Sequence, residues 1–559
     1  MPKLLDNIKK LLIYEDKPEF DEFELLETYD EHKNNQNEQE DGKLKNENEE
    51  KNKQTKKPDR MIDSDLNKNI QTIKQEFNMP KNHDIIIKEF NIARKVRAAI
   101  VFINGMVDRT TINNFVLRQL MAVDRFSDDK DNYTVEYIKD NVLSIHNTEK
   151  FKEFDKIIKQ ILNGMTALFI EECDDCLVIE TSGYEKRNVD KPVTETVVRG
   201  AQEGFNENMR TSITLVRRII RNKNLITEIL PMGNKNNGNC SILYLEGVAN
   251  PKVIQEVKMR IESIDIDFVS GDAMLEQLIE DEPNMIVPQV LSTERPDRTA
   301  TFIMRGQVAI IADGTPFALI VPMVFSNMFH TSEDTNIKWQ WGTFVRIIRV
   351  LALFMATLLP GLYVSFMLYH HQMIPTDLLA SITKSREFVP FPTIIEVLIM
   401  EASFELVREA GERVPGVIGP TIGIIGALIL GQAAVIADII SPILIIIVAI
   451  TGLGNFAIPN YTLAASIRIL RFAFIFSGAI AGFYGLTAVI VIISGLVCSM
   501  KSFGVPFLSP IAPKVKSTMD FIIRKPLWRH TQMPDEMNTI DKKKAGKYPN
   551  WWVKKKGGK

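Results

Sequence analysis

Cysteine is scarce in this chain of 559 residues, with four in all: Cys173, Cys176, Cys240 and Cys498. Their spacing offers no disulfide framework, and Cys173-Asp-Asp-Cys176 lacks the second pair or histidine cluster that a tetrahedral zinc site requires. Reduced thiols facing a cytosol are the plainer expectation. Charge of one sign is missing too. A formal net charge of −3 leaves no global electrostatic footprint for nucleic acid. The seven histidines are scattered, with no HExxH, GxSxG, kinase set or phosphate-binding glycine loop. The expectation is a protein with no catalytic site, cofactor or metal. Residues 1–17 mix charges and lack the apolar core and cleavage site of a secretory signal. Long apolar runs are absent from the N-terminal part up to about residue 340.

The last third is different. Four apolar runs cover about 350–369, 417–437, 442–458 and 472–500. Three can cross roughly 30 Å of hydrocarbon at about 1.5 Å per residue, and 442–458 just manages it. Arg346 and Arg349 precede the first run, and Lys501, Lys514, Lys516 and Arg524 follow the last. Cytosolic loops of membrane proteins are enriched in such residues, so both flanks are expected on the cytoplasmic side with an even number of crossings. Four runs satisfy this. Arg468 and Arg471 then fall at the outer interface, an awkward placement that leaves a six-segment arrangement open.

Residues 31–60 carry almost nothing to bury and read as a solvated tether. Beyond them lies an internal duplication. Residues 98–105 and 240–247 are apolar strands ending in Gly105 and Gly247, each followed by a helix-period segment. Later, Gly164 and Gly306 each open a hairpin, turned at Asp174-Asp175 in one copy and at Asp313-Gly314 in the other. The interval from Gly105 to Gly247 equals that from Gly164 to Gly306. Between the copies, Ile213, Leu215, Val216, Ile219 and Ile220 form an apolar stripe, with Arg210, Arg217, Arg218 and Arg221 on the other face. A solvated connector helix fits this pattern, and so does docking to an acidic partner or to lipid headgroups.

The organisation expected is a charged lead (1–65), α/β subdomain 1 (66–190), a basic connector helix (191–235), α/β subdomain 2 (236–336), a helical membrane domain (337–500) and a basic tail (501–559). The fold class is thus α/β plus all-α membrane, with two duplicated small α/β subdomains preceding a transmembrane bundle.

Within the membrane domain, 391–413 is helix-compatible yet carries Glu396, Glu401, Glu405, Glu409 and Glu412. Each carboxylate at mid-bilayer costs roughly 2.5–3.5 kcal/mol, more than the surrounding apolar residues return at roughly 0.3–0.6 kcal/mol each. A span surrounded by lipid is excluded. Two readings remain: an amphipathic helix at the outer interface, or a re-entrant helix whose Glu401, Glu405 and Glu409 line a cation path in an oligomer. Gly419, Gly423, Ala427 and Gly431 recur every four residues and suit close helix packing or a smooth lining for a conduction path, which self-association around an axis would combine. Lysines 542–544 and 554–556 of the tail could each contribute roughly 1 kcal/mol near anionic membrane lipid, and a plain solubilising tail fits them equally.

Several motifs together resemble a known family. Residues 198–221, Ser292-Thr-Glu-Arg-Pro-Asp297, 306–322, Pro390-Phe-Pro392, Phe404-Glu-Leu-Val-Arg-Glu-Ala-Gly411 and 423–435 resemble, in order, the A subunit of GerA-family spore germination receptors. The resemblance covers about 88–513. One departure is Ala201-Gln202, where family members usually carry Pro and a basic residue. The resemblance implies that Arg199, Gly200, Glu203, Gly204, Arg217, Arg218, Glu294, Arg295, Pro296, Asp313, Gly314 and Pro316 are family positions that couple the parts. It further implies a multi-pass protein of the bacterial endospore inner membrane, with both termini cytoplasmic. Its implied partners are a permease-like B subunit, which mainly recognises the nutrient, and a lipoprotein C subunit. Self-assembly, as a pentamer, into a nutrient-gated cation channel is implied as well. The same motifs leave open a related complex that aids dipicolinate and ion release. A secondary transporter is the rival of another class, although the four unequal runs show no inverted repeat.

Overall fold

Two five-stranded antiparallel sheets with the same strand order form the N-terminal part of this computed structural model. It describes residues 61–126, 133–145, 147–183, 191–236, 238–412, 426, 429–514, 522–526 and 532–542. The tether 31–60, Gly419, Gly423, Ala427 and most of the tail lysines lie outside the described residues.

Helix α1 (Leu66–Glu76) opens the first unit, started by Asp65, whose carboxylate accepts from the Asn67 N–H. Strands β1 (Ile85–Ile92) and β2 (Val96–Ile103) follow, then β3 (Thr148–Phe151), α2 (Phe154–Leu162), β4 (Thr166–Ile170) and β5 (Cys176–Ile179), in sheet order β1-β2-β4-β5-β3. Successive side chains of a strand point to opposite faces. Ala99, Val101 and Ile103 therefore join α1 and α2 in one core, while Ala98, Ile100 and Phe102 join Ile112, Val116 and Leu120 in another. Helices on both faces explain why β2 reads as an unbroken apolar run.

The second unit repeats this order. Helix α3 (Met209–Ile219) precedes β6 (Leu225–Met232), β7 (Gly238–Leu245), α4 (Pro251–Glu262), α5 (Asp272–Ile279), β8 (Leu291–Thr293), α6 (Pro296–Ile303), β9 (Val308–Ala312) and β10 (Ala318–Val321), in sheet order β6-β7-β9-β10-β8. Gly105, Gly164, Gly247 and Gly306 all take φ between 83 and 89°, where an L side chain is strained. The glycines that set the sequence register thus occupy matching turns.

Two expectations for 191–235 are corrected. β6 lies inside that stretch and pairs along its length with β7, so the second sheet starts well before residue 236. In α3 the two faces are also exchanged at one turn: Arg217 is buried and Ile219 exposed. A guanidinium goes inward because a carboxylate waits there. Asp84 of the first unit lies 2.7 Å from Arg217. His83 also donates its N–H to the Thr227 carbonyl at 2.9 Å, so the two units share a polar seam.

Among the described residues the helical domain contains α7 (Trp339–Leu368), α8 (Thr376–Ser385), α9 (Thr393–Glu412), α10 (Pro442–Phe456) and α11 (Tyr461–Ser499), with a further helical stretch at 429–436. By length and composition α7 and α11 could cross a membrane. With 15 residues, α10 reaches about 22 Å, short of a roughly 30 Å core.

α11 is bent back on itself. A straight helix would hold Leu463 and Met500 about 55 Å apart, yet both sit in one core cluster. The reversal is at Ala481 and Gly482, which leave helical geometry, Gly482 with φ 57°. Tyr369 caps the broken end by donating to the Ala479 and Ile480 carbonyls at 2.9 and 2.8 Å. The expected single span 472–500 is instead the outer part of one arm, 461–480, and the returning arm, 483–499. Both ends of α11 therefore meet the second sheet unit: Ser466 donates to the Ile286 carbonyl, and Ser502, just past its end, to that of Gln289.

Candidate functional site

The glutamates of α9 are matched by arginines. Residues four apart share a helix face, so Glu401 and Glu405 point the same way, and Arg471 and Arg468 of α11 oppose them in antiparallel order. Glu401 lies 2.6 Å from Arg471, and Glu405 3.2 Å from Arg468 and 3.9 Å from Arg408. Arg471 also donates to the Ala356 carbonyl of α7 at 2.9 Å, tying three helices together. Glu396 is buried against Arg386 at 2.6 Å and accepts from the Ser441 N–H. Glu409 is exposed.

This arrangement corrects three expectations. Arg468 and Arg471 are not at a far interface, because their turn of α11 packs beside Ser466 against the α/β module. The acidic face of α9 is not open to water as an interfacial amphipathic helix requires, since α9 packs against α7 and α10 and its Glu401 and Glu405 pair with α11. Glu401 and Glu405 of the expected cation path are held in ion pairs within one chain, and Glu401 has no solvent exposure. Of the three, Glu409 alone faces outward.

Among the described residues, helix backbones come close at Gly361 and Gly454. A Cβ on Gly361 would stand 2.7 Å from the Phe474 carbonyl oxygen, and one on Gly454 2.9 Å from that of Ala352. Real Cβ atoms do not approach so closely, so these positions admit no side chain. Gly431, the described member of the expected ribbon, would meet Ile445 at an ordinary 3.5 Å. Gly361 and Gly454 sit in apolar runs without a periodic partner of their own, and their signal in the sequence is correspondingly weak.

Several of the family-motif residues gather at the junction of module and helices. Glu294 accepts from the Thr194 hydroxyl and the Glu195 N–H, both at 2.7 Å. Arg295 donates to the carbonyls of Glu195 and Ala201 at 3.0 and 2.9 Å and lies 3.0 Å from Asp297. Pro296 supplies the first turn of α6, where a missing N–H costs nothing. Arg298 pairs with Glu195 and donates to the His330 carbonyl at 2.8 Å. The strap 194–201 is thereby clamped to α6. Its Arg199 carbonyl accepts from Asn336, beside Gly200 at φ 151°. Glu203 pairs with Arg218 at 3.3 Å, and Gly204 is buried between them in sequence and the core. Asp313 accepts from the Met209 N–H at 3.1 Å, in the turn with Gly314 and Pro316 that seats the start of α3.

Asp334 links this junction to α7. Buried in the turn Ser332–Asn336, it lies 2.8 Å from Arg349 and 3.4 Å from Arg346. Burial alone would raise its carboxyl, but Arg349 and then Arg346 offset this and hold it below the ordinary aspartate value. Asp334 and its two arginines escaped sequence reading because all three look like interface or cap residues. Cys176 is buried and Cys173 half-buried, and burial pushes both thiols up.

Comparison with known proteins gives one consistent answer. The pattern of the family described as Bacillus/Clostridium GerA spore germination protein matches residues 71–536. Spore germination protein KA of Bacillus subtilis (strain 168) is 38% identical over 490 residues, 87% of this chain and 89% of the relative. Spore germination protein GerLA of Bacillus cereus is 35% identical over 482 residues, 86% of this chain and 97% of the relative. A crystal structure of the N-terminal domain of the A subunit of the Bacillus megaterium spore germinant receptor GerK3 aligns with TM-score 0.38 and 28% identity, covering 48% of this chain and 99% of that one.

Proposed function

Because the chain belongs to the Bacillus/Clostridium GerA spore germination protein family, we propose that it is the membrane A subunit of a germinant receptor. It relays nutrient occupancy into the membrane and has no catalytic chemistry of its own. The observation that carries this reading is the double seam between module and helices. Asp334 grips the start of α7 through Arg346 and Arg349, while Ser466 and Ser502 fix the start of α11 and the segment that follows it to the second unit. A shift of that unit therefore moves two membrane-length helices together.

The finer parts of the reading follow the family resemblance. The two sheet units descend from one duplicated unit, and their common strand order supports this. The helical domain is multi-pass in the spore inner membrane with both flanks cytoplasmic. The return of both its ends to the module supports placing those flanks on one side. A permease-like B subunit and a lipoprotein C subunit complete the complex, and several copies, a pentamer, enclose a cation path. In that assembly Glu401 and Glu405 are anchors between helices, and Glu409 is the exposed member of the three.

Spores lacking this chain, complemented with wild type or with Asp334→Ala, test the relay. Potassium and dipicolinate release after nutrient addition should be restored by wild type and lost in the variant at equal protein level. Unchanged release in the deletion would reject the reading.

A further inference from the structure

Between the module and the helices lies a cavity of about 550 Å³ whose wall carries Arg295 and Arg298 from α6, Arg408 from α9 and Arg468 from α11. Among the described residues lining it there is one carboxylate, Glu195. That carboxylate is spent, since its two oxygens take Arg298 and the Thr293 hydroxyl. Behind the wall, Asp297 faces Arg295, and Glu405 serves both Arg408 and Arg468. Two donors of this wall are left over: the Nε–H groups of Arg295 and Arg468 are buried with no hydrogen-bond acceptor among the described residues. Leaving a buried donor on a charged group without an acceptor is costly. Arginine pairs best with planar or tetrahedral oxyanions, to which it donates two parallel hydrogen bonds.

We propose that this cavity binds a phosphate-bearing anion that bridges the α/β module and the helical domain. The size suits a small ligand, since such sites run from roughly 300 to 1,000 Å³. Two sources share this chemistry: inorganic or soluble organic phosphate, and the headgroup of an anionic phospholipid. Phe456 and Tyr461, both lining the cavity and exposed, give its mouth an apolar edge on which acyl chains would rest. The site is separate from the relay argued above, and binding can be measured without germination, so either can fail alone.

The test uses the full-length chain in phosphatidylcholine nanodiscs, reading the midpoint of thermal unfolding. One arm titrates inorganic phosphate against matched chloride, and the other replaces part of the lipid by phosphatidylglycerol. Two variants accompany wild type: Arg468→Gln, which removes an unpaired donor, and Ala464→Phe, which fills the cavity and leaves every charge. Stabilisation by phosphate identifies a soluble anion, and stabilisation by phosphatidylglycerol alone identifies a headgroup. In either case half-saturation should weaken roughly tenfold or more in both variants. No stabilisation of wild type in either arm would overturn the site, as would equal stabilisation in Ala464→Phe. If Arg468→Gln does not fold, Ala464→Phe carries the decision.

Discussion

Glu401 and Arg471 lie 2.6 Å apart, carboxylate to guanidinium, and both are buried among three helices. In water such a pair is worth little, but here solvent cannot replace a missing partner. The pair therefore reports on helix packing more than on ion conduction.

Replacing Glu401 by Gln leaves the Arg471 charge buried without its counter-ion, a loss of roughly 3–5 kcal/mol. The variant should unfold at clearly lower temperature in detergent. The double variant Glu401→Leu with Arg471→Met should recover most of that loss, since two apolar residues leave no orphan charge. A single variant as stable as wild type would show that water reaches the pair, and would return Glu401 to candidacy for a cation path.

Gly361 and Gly454 bring helix backbones into contact, whereas Gly431 does not. Alanine at 361 or 454 should force α7 away from α11 or α10 and sharply reduce protein recovered from membranes. Alanine at 431 should be tolerated. Immunoblots of membrane fractions at equal transcript level compare the three. Equal recovery of all three would mean that the helices sit farther apart.

Much of the module was legible in the sequence. The strands before Gly105 and Gly247 and the turn at Asp313-Gly314 follow from apolar runs ended by residues that take unusual backbone angles. The glutamates were also recognisably out of place in lipid. Their partners were not, because Arg471 stands 70 positions from Glu401 and nothing local links them. Arg217 misled for the same reason: helical periodicity assigns arginine to water, and Asp84 is invisible to it. The reversal in α11 is hidden differently, as hydropathy measures how greasy a segment is and carries no direction.

Glu276 of α5 offers a pH test in the module. Burial, with Glu280 and Asp272 nearby, pushes its carboxyl from the ordinary 4.5 up to about 8. The folded state therefore holds a proton that the unfolded chain releases above pH 4.5. Stability from this group is fully present below pH 4.5 and declines as pH rises through about 8. Glu276→Gln should match wild type at low pH and exceed it by roughly 1–3 kcal/mol at high pH. Urea unfolding at the two ends of that window measures the difference, and a constant gap would reject the assignment.

The hairpin in α11 makes a topological prediction that a straight helix contradicts. In a chain whose four cysteines are replaced by serine, single cysteines are placed at Lys338, Tyr484 and Ile511. Lys338 precedes α7, and Ile511 follows Ser502 and Phe507, which bond to Gln289 and Phe325 of the module, so both belong to one side. Tyr484, exposed beside the reversal at Gly482, belongs to the other. A membrane-impermeant maleimide should label positions 338 and 511 from the module's side of sealed vesicles, and position 484 from the opposite side. A straight α11 of 39 residues would span about 58 Å, nearly twice the hydrocarbon core. It would place 484 within lipid and shield it from both sides. Protection of 484 in both vesicle orientations, with 338 and 511 on opposite sides, would therefore replace the hairpin by a single long crossing.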